Sequence, residues 1–310
     1  MSKNKDALTL SQVYSRQRRD EWPTDPNSNY ISNNLGWFGG GSNTSTIDRL
    51  DFTAQTVSIS PAQLSAERQS LAATVGGGFG WFGGGTPTTS VIDRLNFTAQ
   101  TVSSIPAKLS VARNYLAATS GGGFGWFGGG FTPNISFSTI DRLDFTAQTV
   151  SVSPATLSFA KNSLAATSGG GFGWFGGGFI SNANVVVSTI DRLDFTAQTV
   201  SVSPATLSFA KNSLAATSGG GFGWFGGGNP LTSTIDRLDF TAQTVSGSPA
   251  KLSTSRNNLA ATSGGGFGWF GGGFPLTSTI DRLDFTAQTV SVSPAKLSTS
   301  RNNLAATGST

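Results

Sequence analysis

Six copies of one unit at a spacing of 44 to 50 residues, four short strand-like runs in each copy, and a surplus strand at the C-terminal end of the array that the first copy lacks predict an all-β chain folded as a six-bladed β-propeller. The hexapeptide GWFGGG begins at Gly36, Gly80, Gly125, Gly173, Gly223 and Gly268, and IDRL begins at Ile47, Ile92, Ile140, Ile190, Ile235 and Ile280. Ser138–Gly178 and Ser188–Gly228 are identical over 41 residues, the mark of duplication within the gene. A parallel β-solenoid needs a shorter repeat, and helical repeats need a 3.6-residue apolar period that is absent.

Each unit reads as four strands in order. The first is LAAT, as at Leu116–Thr119, followed by a glycine-rich turn. The second is FGWFGGG, aromatic residues closing on three glycines. The third is STIDRLDF, an extended run in which β-branched and aromatic residues mix with charges. A turn-length TAQ leads to the fourth, TVSVS, an alternating β-branched segment expected to end at the proline that follows it. The first unit begins directly at Leu35–Gly41 with no preceding LAAT, whereas Arg301–Thr307 supplies one after the last unit. Insertion of that strand into the first blade closes the ring and removes an unpaired edge.

Both faces of a propeller blade pack on neighbours, so the Trp–Phe pairs are expected in the core. Phe79 and Trp81 point one way and Phe82 the other, filling both layers between blades. The glycines that follow are expected to let neighbouring backbones approach and to permit positive φ in the turn. Asp48 with Arg49, and the five equivalent pairs, are expected to pair across blades or to satisfy backbone groups, fixing register more than adding stability. Asn96 replaces the second acid in the second unit, which argues against a six-carboxylate calcium ring.

The composition excludes much chemistry. The 310 residues contain no His and no Cys, so a disulfide framework, thiolate metal sites and the commonest general base are missing. GGGFGWFGGG lacks the Gly-Lys-Ser/Thr of a phosphate loop. No catalytic residue, metal or cofactor is assigned, and the chain is expected not to be an enzyme. No apolar run has the length of a membrane span, and MSKNKDALTLSQVYSRQRRDEW lacks the apolar core of a secretory signal, so synthesis in a cytoplasm is expected.

Differences between units concentrate between the second and third strands, for example SNT at Ser42–Thr44, FTPNISF at Phe131–Phe137 and FISNANVVV at Phe179–Val187. Strand direction places these links on the same face as the connections from the fourth strand to the next first strand. Those connections carry Arg68, Lys108, Arg113, Lys161, Lys211, Lys251, Arg256, Lys296 and Arg301 against one acid, Glu67. The expectation is a basic face for an anionic surface, an acidic glycan or lipopolysaccharide phosphate rather than nucleic acid. Its candidate ligand-binding residues are Lys108, Lys161, Lys211, Lys251, Lys296, Asn134 and Asn182. The bland alternative is that the arginines clip blades together and the lysines solvate.

Residues 1–30 stand outside the repeat and hold nine of the 36 charges. Leu10, Val13 and Tyr14 share one side of a helical projection, with Arg18 and Arg19 after them, and Trp22-Pro23 opens an extended linker. This segment reads as an attachment arm that orders on a larger assembly, with residues 31–310 as the propeller.

The order Arg, short apolar strand, aromatic strand ending in Gly-Gly, then a strand ending near Asp resembles the kelch repeat. Arg113, Leu116, Trp126, Gly128, Gly129 and Asp144 stand at the matching positions. The fourth strand departs from it, carrying TVS where kelch units usually carry a Trp. In kelch-like propellers the face with the variable links commonly carries the binding surface. LTLSQVYSRQ near the start, with the GWFGGG and STIDRLDF units, is similar to repeat proteins encoded by marine tailed phages. That resemblance implies a virion protein of the tail or tail fibre, made in the host cytoplasm and bound through its arm to other tail or capsid proteins. A purely architectural decoration of capsid or tail, and a cellular carbohydrate-binding propeller, are the alternatives.

Overall fold

A computed structural model describes residues 34–133 and 135–308, and these contain strands and turns and no helix. The chain divides into Met1–Ser32 and Asn33–Thr310. Leu10, Val13, Tyr14, Arg18, Arg19 and Trp22 lie outside the described residues.

The second unit shows the blade. Its strands Ala72–Gly76, Phe79–Gly83, Val91–Asn96 and Thr101–Lys108 pair antiparallel in that order. The first strand is innermost and the fourth outermost, and six four-stranded sheets of this kind make the ring. The first blade takes its inner strand, Ala305–Gly308, from the C-terminal end. This strand pairs with Leu35–Gly39 in the register Gly36↔Gly308 through Gly39↔Ala305. Closure by the surplus strand is therefore realised.

The fourth strand runs through its proline. In the first blade it spans Thr56–Gln63 and includes Pro61. The proline costs no ladder bond, because the outer side of this strand has no neighbour to receive an N–H. A register shift between Thr46 and Asp48 shows where the strand bulges opposite it.

The six interfaces between blades share one packing scheme. Trp81 of the second blade packs with Phe127, Leu143 and Phe145 of the third, while Phe82 turns back toward Gly39 of the first. The six blade tryptophans are fully buried, and each stacks on a phenylalanine of the next blade at 5.4–5.9 Å with ring planes 21–26° apart. Each such ring removes on the order of 150–250 Å² from water, so these layers supply most of the driving force for closure. The first glycine after each Trp–Phe pair admits a side chain and the second admits backbone, as expected. A Cβ on Gly83 would stand 2.7 Å from a ring carbon of Phe127 in the next blade. A Cβ on Gly84, at φ +68°, would stand 2.5 Å from the carbonyl oxygen of Arg113 in the connection to the next blade.

Candidate recognition face

The two ends of the ring are built differently. One end carries the two-glycine turns between first and second strands and the TAQ turns between third and fourth. There Asp51 Oδ1 accepts hydrogen bonds from the Thr53 and Ala54 amides, both 2.9 Å, and five later blades repeat this turn with Asp or Asn. Gln148 in such a turn adopts φ +55°, which disfavours most side chains. Its Oε1 accepts from Arg94 Nη1 of the preceding blade at 2.9 Å, while Arg94 lies 4.7 Å over Phe79. Arg94, Arg142 and Arg192 of the IDRL segments thus bridge blades through glutamine, not through the aspartate beside them.

The opposite end carries the variable links together with the connections between blades, as strand direction predicted. The two are stitched to each other: Gln69 bridges Thr86, Asn114 bridges Phe131 and Asn162 bridges Phe179. Around the axis, Ser70, Tyr115, Ser163, Ser213, Asn258 and Asn303 form a closed ring. The N–H of each donates to the carbonyl of the corresponding residue in the preceding unit at 2.7–2.8 Å. All six hold φ between +52° and +56°, a conformation that costs a non-glycine residue about 1–2 kcal/mol and that the hydrogen-bond ring compensates. Sequence reasoning missed this ring. Its signal is the single variable position before each LAAT.

Six of the nine cations expected on this face are inside the protein. Arg68, Arg113, Lys161, Lys211, Arg256 and Arg301 are buried and meet Asp93, Asp141, Asp191, Asp236, Asp281 and Asp48 at 2.6–3.1 Å. Lys161 and Lys211, named as ligand-binding residues, are thereby corrected to blade clips. Each connection needs a donor to close off the end of the next blade, and a long cation reaches it. Arg68 Nη1 donates to the carbonyls of Gly84 and Val91, and its Nη2 to Phe82 and Asp93. The amide of Ser65 in the same connection adds a 2.9 Å bond to the Asp93 carboxylate. Lys211 makes fewer bonds, to Phe225 O at 3.5 Å and to Asp236. Burial pushes the Lys161 and Lys211 ammonium groups, and the four arginines, below their ordinary ranges; the partner carboxylates pull back more weakly.

One blade completes the clip differently. Ser104 Oγ donates to the second oxygen of Asp93 at 2.7 Å, whereas Val152 stands opposite Asp141 and Asp141 Oδ1 has no partner. Val152→Ser is therefore expected to raise stability by about 1 kcal/mol, and Ser104→Val to lower it by about 1–3 kcal/mol. Urea denaturation of the two variants checks this, and equal effects of the same sign would refute it.

What stays exposed on this face is sparse in charge. Among the described residues, Lys108, Lys251, Lys296 and Glu67 are the only exposed charged side chains. The basic patch shrinks from nine cations to three, one each in the second, fifth and sixth blades. Asn182 is exposed at a link tip, and Asn134 lies outside the described residues. The links of the third and fourth blades form small hairpins, Phe131–Thr132 with Ile135–Ser136 and Phe179–Ile180 with Val185–Val186.

Along the axis lie three small cavities of about 70, 90 and 110 Å³. The first is lined by the hydrogen-bonded ring, the others by Leu, Ala, Thr and Ser of the inner strands. Small-molecule sites typically enclose about 300–1,000 Å³, so recognition by this axis is confined to its rims. Among the described residues no three His, Cys, Asp or Glu side chains gather as a metal site, and no helix is long and apolar enough to cross a membrane.

No family model matches the chain, and no curated protein sequence does. Among solved structures it is similar to that of YjhT, with a TM-score of 0.67 and 12% identity, over 77% of this chain and 87% of that one. At that identity the likeness establishes the fold alone. The chain is a six-bladed β-propeller with a constant turn end, a variable link end and six buried ion-pair clips between them.

Proposed function

We propose that the chain is a non-enzymatic structural protein of a tailed-phage virion, on the tail or its fibres, anchored by residues 1–30 and presenting the variable-link face to a host surface. One observation supports this reading: Asn34, the first described residue, lies at the end of the propeller opposite the variable links. The carbonyl of Asn34 accepts from Phe52 N at 3.1 Å, and its Nδ2 donates to Thr53 Oγ1 at 2.6 Å, which holds the chain's entry point at the TAQ-turn end. Loops that differ from unit to unit on an otherwise repeated scaffold suit recognition. The kelch-like order of residues and the wording shared with phage repeat proteins support the same assignment.

The test is co-sedimentation with purified phage particles, using the full chain and a chain lacking Met1–Tyr30. Association of the full chain alone is expected. Equal association of both forms would transfer the anchor to the propeller and favour a purely architectural decoration. Association of neither would remove the virion reading.

A further inference from the structure

We propose that the recognition surface is the sector of the variable-link face formed by the third and fourth blades, and that its ligand is an uncharged polysaccharide. This rests on the attachment reading above and replaces the anionic ligand expected from composition.

Two independent features meet in this sector. The first is a wall. The hairpins occur on these two adjacent blades alone among the described residues, and they are locked side by side: Ser136 and Ser181 hydroxyls lie 2.7 Å apart, and Asn162 Nδ2 donates to both at 2.9 Å. Ser136 and Asn162 are buried, so these hydrogen bonds tie the two hairpins to each other and to the connection beneath them. The second is chemistry. The strands that end as Lys108, Lys251 and Lys296 in other blades end here as Thr156 and Thr206. The connections that follow carry Phe159 and Phe209, and their only cations are the buried Lys161 and Lys211. The sector therefore exposes no charge.

What it does expose is single apolar groups set among amides and hydroxyls. Ile135 is 56% exposed, Phe159 48% and Val185 46%, with Asn182 exposed beside Ser181 at the turn of the second hairpin. Sugar rings present a C–H face to aromatic and aliphatic side chains, and a rim of hydroxyls to neutral donors and acceptors. A charged polymer would lose its hydration here without gaining an ion pair. Side chains already fixed by mutual hydrogen bonds cost less to order on binding, which suits a shallow site.

The experiment is an array of immobilised neutral polysaccharides (dextran, mannan, laminarin, amylose) and acidic ones (alginate, dextran sulfate, lipopolysaccharide), probed with the full chain at about 0.05 and 0.5 M salt. The expected result is capture by at least one neutral polymer with affinity changed less than about twofold by salt. Phe159→Ala combined with Asn182→Ala should weaken it at least about tenfold. Replacing Lys108, Lys251 and Lys296 together by Ala should leave it unchanged. All five positions are exposed, and unchanged thermal midpoints confirm that the variants fold.

Capture by acidic polymers alone, lost in the triple-lysine variant, would overturn the proposal and leave surface attachment standing. Binding to whole host envelopes that protease treatment abolishes would overturn it in favour of a protein receptor. Binding to neither arrays nor envelopes would overturn both this proposal and the attachment reading.

Discussion

Removal of Leu304–Thr310 is expected to cost upward of about 5 kcal/mol and to lower the thermal midpoint by more than about 10 °C. The deleted segment contains Ala305–Gly308, the inner strand of the first blade, and Leu304, which is buried against Trp269 and Phe52. Without it Leu35–Gly39 becomes a fully apolar edge strand facing the axis. The ring also opens, because the inner strands touch each other around the tunnel. Hydrogen exchange should show lost protection first in Leu35–Gln63. A peptide spanning residues 301–308, added in trans, should restore part of the midpoint. A truncated chain that melts like the full one would show that blade closure contributes little.

Asp141→Ala is expected to destabilise by about 3–5 kcal/mol. It leaves the Arg113 guanidinium charged and fully buried, after loss of its 2.9 Å partner and of the Ser110 amide contact to the same oxygen. The double variant Arg113→Met, Asp141→Leu should recover most of the loss, since two apolar groups carry no desolvation cost. A double-mutant cycle in urea reads the coupling. Should the double variant prove as unstable as Asp141→Ala, the backbone bonds of Arg113 to Phe127 and Thr139 carry the clip instead of the ion pair.

The clips explain why composition misled about charge while the periodicity did not. Repetition at a spacing of 44 to 50 residues specifies four strands per unit, because short alternating or aromatic runs separated by turn residues have one economical arrangement. The order of strands, the closure and the burial of the Trp–Phe pairs were all legible, since each follows from local pattern or from counting strands at the two ends. The extension of the fourth strand past Pro61 was not. It depends on having no neighbour on the outer side, a property of position in the sheet and not of the residue.

The destination of the cations was likewise invisible in the sequence. Lys108 and Lys161 sit in similar connections, yet one is exposed and the other is fully buried against Asp191. The difference is that Lys108 ends an outer strand, whereas Lys161 stands three residues before a LAAT strand, where the chain dives toward the axis and meets the aspartate of the next blade. That aspartate is 30 residues away in sequence, so only folding brings the pair together. The same holds for the axial ring of Ser70, Tyr115 and their four counterparts, whose hydrogen bonds run between successive units.

What the sequence determined by itself, then, was the repeated blade: its strands, its turns, its aromatic layers and the number of copies. These arise from contacts within a unit or between identical units, which local periodicity encodes. What tertiary structure alone decided was which charges face water, which links stand next to each other, and from which end the chain enters. Those depend on distances between unlike units around a closed ring, and a charge stays exposed only where the ring leaves no buried partner within its reach.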